Sequence, residues 1–166
     1  MQAKSGKIIL GLDPGYGRLG FGVIAADERR KLSYVGCGVI TTAKGVVHRD
    51  RLFEIAKDLE ALIARYSPTL IAVEELFFVK NITTALKVAE VRGIILYLSA
   101  KYQIDLIEIK PTEIKMAVSG DGHADKLQMQ KMITMLLKLA TVPQPDDAAD
   151  ALAVAWAGEG KFRVLD

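Results

Sequence analysis

Cysteine and histidine are almost absent from this chain. A single cysteine, Cys37, cannot close an internal disulfide or anchor a cysteine-rich zinc site alone. Two histidines, His48 and His123, leave little for a histidine zinc site or a Ser–His triad. No apolar run reaches the ~18 residues that a membrane-spanning helix needs. Met1 to Lys7 is polar and lacks the apolar stretch of a signal peptide. There is no linker, low-complexity tract or repeat. What is present is 166 residues, 51% hydrophobic and 25% charged, which suits a single domain, 1–166, with a sizeable core rather than a disordered chain. The expectation is a cytosolic protein whose chemistry, if it is an enzyme, rests on carboxylates.

The net charge of +2 is too small to point to a polyanion, but its distribution is uneven. Residues 139–166 carry five acids (Asp146, Asp147, Asp150, Glu159, Asp166) and two bases (Lys161, Arg163), leaving 20 bases against 15 acids in the rest. A basic body with a local acidic cluster suits a protein that holds a phosphate backbone and keeps a metal at one point on it. Ordinary solvated charge explains the same numbers.

Hydrophobic patterning predicts three strands in a meander, Lys7–Leu12, Gly20–Ala26 and Leu32–Ile40, the first two joined by the turn Pro14-Gly15-Tyr16-Gly17-Arg18. Arg49–Tyr66 has helical spacing and Pro68 ends it. Leu70–Val73 is too short for a helix and runs into Glu74. A helix over Ile82–Tyr102, a strand Asp105–Ile109, and helices near Thr112–Val118, Asp125–Leu139 and Asp147–Ala157 complete the plan. Residues 1–6 are expected to be flexible and 158–166 to form a short tail. Strand–helix alternation after the meander places the later strands parallel in an α/β layer sheet.

Acids at three places in the chain stand out. Asp13 closes the first buried strand and Glu74 the fourth, and strand ends are where ligands bind in open α/β sheets. An acid after four or five apolar residues is costly unless paired or liganded. Asp13 in Asp13-Pro14-Gly15 also reads as a common turn-initiating residue. Glu74 is better placed than Glu75 to close its strand. Asp147 and Asp150, three apart, share one helix face. The alanines around them let that helix approach a sheet closely. Acids in a first helical turn are also ordinary caps, which accounts for Asp146 or Asp147 better than for Asp150. Together these acids form a set of hard oxygen donors suited to Mg²⁺ or Mn²⁺.

In order, Ile9-Leu10-Gly11-Leu12-Asp13-Pro14-Gly15, Ala72-Val73-Glu74-Glu75-Leu76-Phe77-Phe78-Val79-Lys80-Asn81, Ala85-Leu86-Lys87, Lys115, Gly120-Asp121-Gly122-His123-Ala124-Asp125-Lys126, Leu136-Leu137-Lys138-Leu139 and Asp147-Ala148-Ala149-Asp150-Ala151-Leu152-Ala153 resemble the RuvC Holliday-junction resolvases from about Lys7 to Ala157. The resemblance implies an RNase H-like three-layer fold, with a mixed five-stranded sheet of three antiparallel and then two parallel strands flanked by helices. It implies a structure-selective DNA endonuclease that nicks two opposed strands of a four-way junction during recombination and repair. The catalytic metal ligands implied are Asp13, Glu74, Asp147 and Asp150, holding two Mg²⁺ ions with Mn²⁺ as substitute. Phe77 is implied as a DNA-stacking aromatic, and Lys115 and Lys126 as basic DNA contacts. A homodimer, the RuvA–RuvB branch-migration complex and the bacterial cytosol are the implied setting. The Asp146-Asp147 doublet departs from the family pattern by one acid, and the chain stops at Asp166 without the longer basic tail of many relatives.

Each of these residues has a plainer reading. Phe77 and Phe78 are ordinary core residues by type, although alternation allows one to face DNA. Lys115 and Lys126 are ordinary solvated charges, His123 is an exposed loop residue, Cys37 is a small strand residue, and Tyr16 faces the site or fills the turn. The helix Ile82–Tyr102 is apolar nearly all round, so it needs cover on more than one side, from the sheet and from a partner subunit or its own chain. Other functions weighed are a YqgF-like RNase H-fold nuclease in RNA processing, a non-catalytic junction-binding protein, and an actin-like or sugar-kinase-like phosphotransferase. The last needs two duplicated domains, for which the chain is too short.

Overall fold

The computed structural model describes residues 6–75 and 82–165. Among them a five-stranded sheet forms the middle layer, in the order β3-β2-β1-β4-β5. The first three strands, β1 (Lys7–Pro14), β2 (Arg18–Ala26) and β3 (Leu32–Thr41), form the antiparallel meander. β4 (Leu70–Glu74) pairs in parallel with β1, and β5 (Asp105–Ile109) in parallel with β4. The strand set and its directions are those expected.

Alternation along β1 sorts its side chains between two cores. Leu10 and Leu12 pack with Ile71 and Val73 of β4 under α1 (His48–Tyr66) and α2 (Ile82–Lys101). Ile9 packs with Leu70 and Ala72 on the opposite face, beneath α5 (Asp146–Leu165), with α3 (Pro111–Ser119) and α4 (Lys126–Leu136) around it. The next residues in the same alternation, Asp13 and Glu74, therefore end their strands on the α5 face.

α5 can lie close to the sheet because both surfaces are small. On the helix, Ala148, Ala149, Ala151 and Ala155 are buried. On the sheet, a Cβ at Gly11 would collide with the backbone at Ala151 and Ala155, and one at Gly20 with the backbone of Asp147. The spacing of α5 thus depends on glycines in the sheet as well as alanines in the helix.

Several boundaries differ from expectation. α4 ends at Leu136 because Lys138 turns to a left-handed φ of 54° and closes the helix, with the Leu139 N–H donating to the Thr134 carbonyl. Asp125 caps it from outside, accepting from the Gln128 N–H while the Gln128 side chain accepts from the Asp125 N–H. α5 runs to Leu165, so 158–165 is helix rather than tail: Phe162 packs against the core and Lys161 donates to Glu113 and to the Glu108 carbonyl. The expectation of flexibility for 1–6 falls on residues 1–5, which lie outside the described residues, and on Gly6. The helix most enclosed within its own chain is α5, not α2. α2 buries Val88, Val91, Ile95 and Leu98, while Ile82, Leu86 and Tyr97 are exposed.

Candidate active site

Three elements deliver the acids. β1 brings Asp13, β4 brings Glu74, and the first turns of α5 bring Asp147 and Asp150. The Leu12–Val73 pairing sets the two strand ends side by side. Arg92 of α2, nearly buried, holds the end of β4. Its guanidinium donates to the Glu74 carbonyl at 2.5 Å and to the Glu108 carboxylate at 2.5 Å.

Asp13, Glu74 and Asp150 line one cleft of about 200 Å³ together with Lys115 and Lys126. Five of the residues singled out in the sequence are thereby brought together. Asp147 does not line this cleft but sits beside it, at the N-terminus of α5, facing β2. Phe77 and Phe78 lie outside the described residues. Tyr16 fills its turn: its ring is sandwiched by Arg51 and Lys87, each 4.4 Å from the centroid, and meets His48. His123 is exposed, as expected.

The electrostatics of the cleft are those of acids short of positive charge. Burial pushes the Asp13 carboxyl up to about 7, helped by the charges of Glu74, Asp150 and Asp147 and by its hydrogen bond with Glu74. Burial also raises Glu74, with Asp150 adding repulsion and Lys115 opposing it. Asp150 is raised by burial against the pull of Lys126. Lys126 is held firmly protonated, first by its hydrogen bond to Asp146, at 2.5 Å, and it reaches Asp150 at 3.2 Å.

The donor chemistry fits a divalent cation: three carboxylates line one cleft with no cysteine or histidine beside them, and hard oxygen donors of this kind suit Mg²⁺ or Mn²⁺. Among the described residues, however, no three acids converge on a common point. Each acid is drawn to its own partner, Asp13 to Glu74, Asp150 to Lys126, and Asp147 to Arg18, whose Nη1 donates at 3.2 Å.

The sequence reading missed Arg18, Arg92 and the sheet glycines. Arg18 was readable only as a turn residue, because its partner is 129 positions away. Arg92 was one of four charged residues in α2, with Lys87, Glu90 and Lys101, and nothing local set it apart.

A family model for the crossover junction endodeoxyribonuclease RuvC matches residues 9–157. A relative of that name from Thermosipho melanesiensis is 48% identical over 148 residues, covering 89% of this chain and 94% of the relative. One from Chloroflexus aggregans is 49% identical, covering 88% of each. Among solved structures, Thermus thermophilus RuvC in complex with a Holliday junction substrate superposes with a TM-score of 0.85 at 27% identity, covering 95% of this chain and 96% of that one. The yeast mitochondrial Holliday junction resolvase Ydc2 shares the fold at a TM-score of 0.64 and 14% identity, covering 90% of this chain and 77% of that one. Because the family match runs from β1 through the acids of α5, this chain belongs to the RuvC family of crossover junction endodeoxyribonucleases.

Proposed function

We propose that this chain resolves Holliday junctions by metal-dependent hydrolysis of phosphodiesters in two opposed strands. One observation carries the reading: three acids from three separate elements line a cleft that also holds two lysines. A phosphate backbone entering that cleft meets positive charge at Lys115 and Lys126, and carboxylates at the depth where a cation belongs.

Asp13, Glu74, Asp147 and Asp150 would hold the metal, two Mg²⁺ ions or Mn²⁺ in their place. Bound there, it would supply Lewis-acid chemistry, lowering the pKa of the attacking water and offsetting charge on the leaving oxygen. The chain's own residues do the rest. The Arg92 bonds to Glu74 and Glu108 fix the end of β4 and so aim the Glu74 carboxylate. Lys115 and Lys126 seat the phosphates on one side of the acids. Phe77 stacks on a base unpaired where the junction is opened, a contact worth ~1–3 kcal/mol.

A homodimer supplies the second site for the opposed strand. Ile82, Leu86 and Tyr97 on the outer side of α2, all exposed in the single chain, are the surface for a two-fold contact. The RuvA–RuvB branch-migration complex presents the junction, and the setting is the bacterial cytoplasm.

The test is incubation with a synthetic four-way junction, a linear duplex and an RNA–DNA hybrid, with and without Mg²⁺. Symmetric nicking of the junction alone, only with Mg²⁺, is the expected result. Cleavage of the hybrid in preference to the junction would instead place the chain in RNA processing.

A further inference from the structure

Arg18 has no part in the reading above, yet it touches one of the four acids. It opens β2, just past the β1–β2 turn, and its Nη1 donates to Asp147 Oδ2 at 3.2 Å. The pairing is a single hydrogen bond rather than a two-pronged one, and the Arg18 side chain is 58% exposed. A single exposed bond of this kind holds the guanidinium to Asp147 only weakly, so the pair can be released to other partners. Lys126 reaches Asp150 from α4, while Arg18 reaches Asp147 from β2. The acids of α5 are therefore held by cations from two different elements, and no three acids among the described residues converge on one point.

We infer that Arg18 is a transferable counter-charge. It neutralises Asp147 while no cation is bound, and it passes to a phosphate of the junction strand when a divalent cation takes Asp147. This rests on the reading of Asp147 as a metal ligand.

The exchange follows from charge. A dication attracts a carboxylate more strongly than a half-exposed guanidinium does. Once Asp147 turns to the cation, Arg18 on β2 is a free, forked donor, whereas Lys115 and Lys126 stand on α3 and α4. A phosphodiester strand at the site is then held by cations from three elements. Because each binding event favours the other, metal and junction are reciprocally coupled through Arg18.

The coupling gives Arg18→Gln opposite effects on the two ligands. Calorimetric titration of Ca²⁺ into the protein alone is expected to show about two- to fivefold tighter binding in the variant, because an exposed ion pair no longer competes. Fluorescence anisotropy on a labelled four-way junction is expected to show about three- to tenfold weaker binding in saturating Ca²⁺, with the salt slope shallower by about one. Without divalent cation the two proteins should bind the junction almost alike. Arg18→Lys, which keeps the charge but not the fork, should retain most of the Ca²⁺-dependent gain.

Asp147→Asn frees Arg18 permanently and should tighten cation-free junction binding about threefold, and the double variant Arg18→Gln/Asp147→Asn should lose that gain. If the double variant keeps it, removal of negative charge alone is responsible and the inference fails. The inference also fails, alone, if wild type binds Ca²⁺ and cleaves with Mg²⁺ while Arg18→Gln leaves both affinities unchanged. If wild type neither binds Ca²⁺ nor cleaves with Mg²⁺, the metal-dependent reading itself falls.

Discussion

Replacing Asp13 by Asn should stabilise the metal-free protein at alkaline pH while abolishing its activity. Asp13 sits among Glu74, Asp147 and Asp150 at the buried end of β1, and its carboxyl is pushed from an ordinary 3.8 to about 7. The folded chain therefore binds a proton there more tightly than the unfolded chain does. The stabilisation tied to that proton is full below pH ~4 and is lost as pH rises through about 7. The gap between the two values corresponds to about 4 kcal/mol at pH 8, with about 2 kcal/mol a lower figure once local relaxation is allowed. Asn carries no charge at either pH, so the two proteins should melt together near pH 4. At pH 8 in EDTA the variant should melt higher, by on the order of 5–10 °C. Saturating Mg²⁺ should narrow the gap by stabilising only the wild type, through mass action on the folded state. Thermal melts at both pH values, with and without Mg²⁺, check this. A variant that melts at or below wild type at pH 8 in EDTA refutes the claim that burial and the neighbouring acids disfavour the Asp13 carboxylate in the folded site.

Asp150→Asn should reduce junction cleavage at least ~100-fold with binding retained, whereas Asp146→Asn should still cut, since Asp146 touches Lys126 but does not line the cleft; single-turnover rates on both variants separate them. Lys126→Ala should weaken junction binding alike on every sequence and reduce the salt slope by about one, read by anisotropy across a salt series. Phe77→Ala should cut cleavage sharply with little change in melting, and Phe78→Ala should destabilise the fold by about 3–5 kcal/mol; the reverse pattern would exchange the two faces. Gly20→Ala should cost about 1–3 kcal/mol in urea melts, because its methyl would meet the Asp147 backbone, and should lower cleavage more than binding by moving that acid.

The outline of the fold could be read from the chain because it rests on local signals. Pro14, Gly15 and Gly17 mark a turn within a few positions, and the apolar run Leu70–Val73 is too short for a helix. Asp13 and Glu74 could be picked out for the same reason: an acid that ends an apolar run is an anomaly within a few residues. Helix ends were harder. α4 ends where Lys138 adopts a left-handed φ that usually calls for glycine, and α5 continues past Gly158 and Gly160 because Phe162 and Lys161 find partners in the core and in α3. In both cases tertiary contacts outweigh local preference.

The parts of the site that escaped the sequence reading are those that act at a distance. Gly11 and Gly20 look like ordinary strand residues, and their meaning appears only when α5 is laid across them. A side chain at either would lift the helix from the sheet and draw Asp147 and Asp150 away from Asp13 and Glu74. Burial beneath that close approach, with repulsion from neighbouring acids added, makes Asp13, Glu74 and Asp150 each resist ionisation. Burial and repulsion that are unfavourable for the free protein would give a divalent cation its advantage there, since each repulsion among the acids would become an attraction to the ion. The glycines in the sheet therefore belong to the proposed metal site as much as the acids do, although none of them offers a ligand.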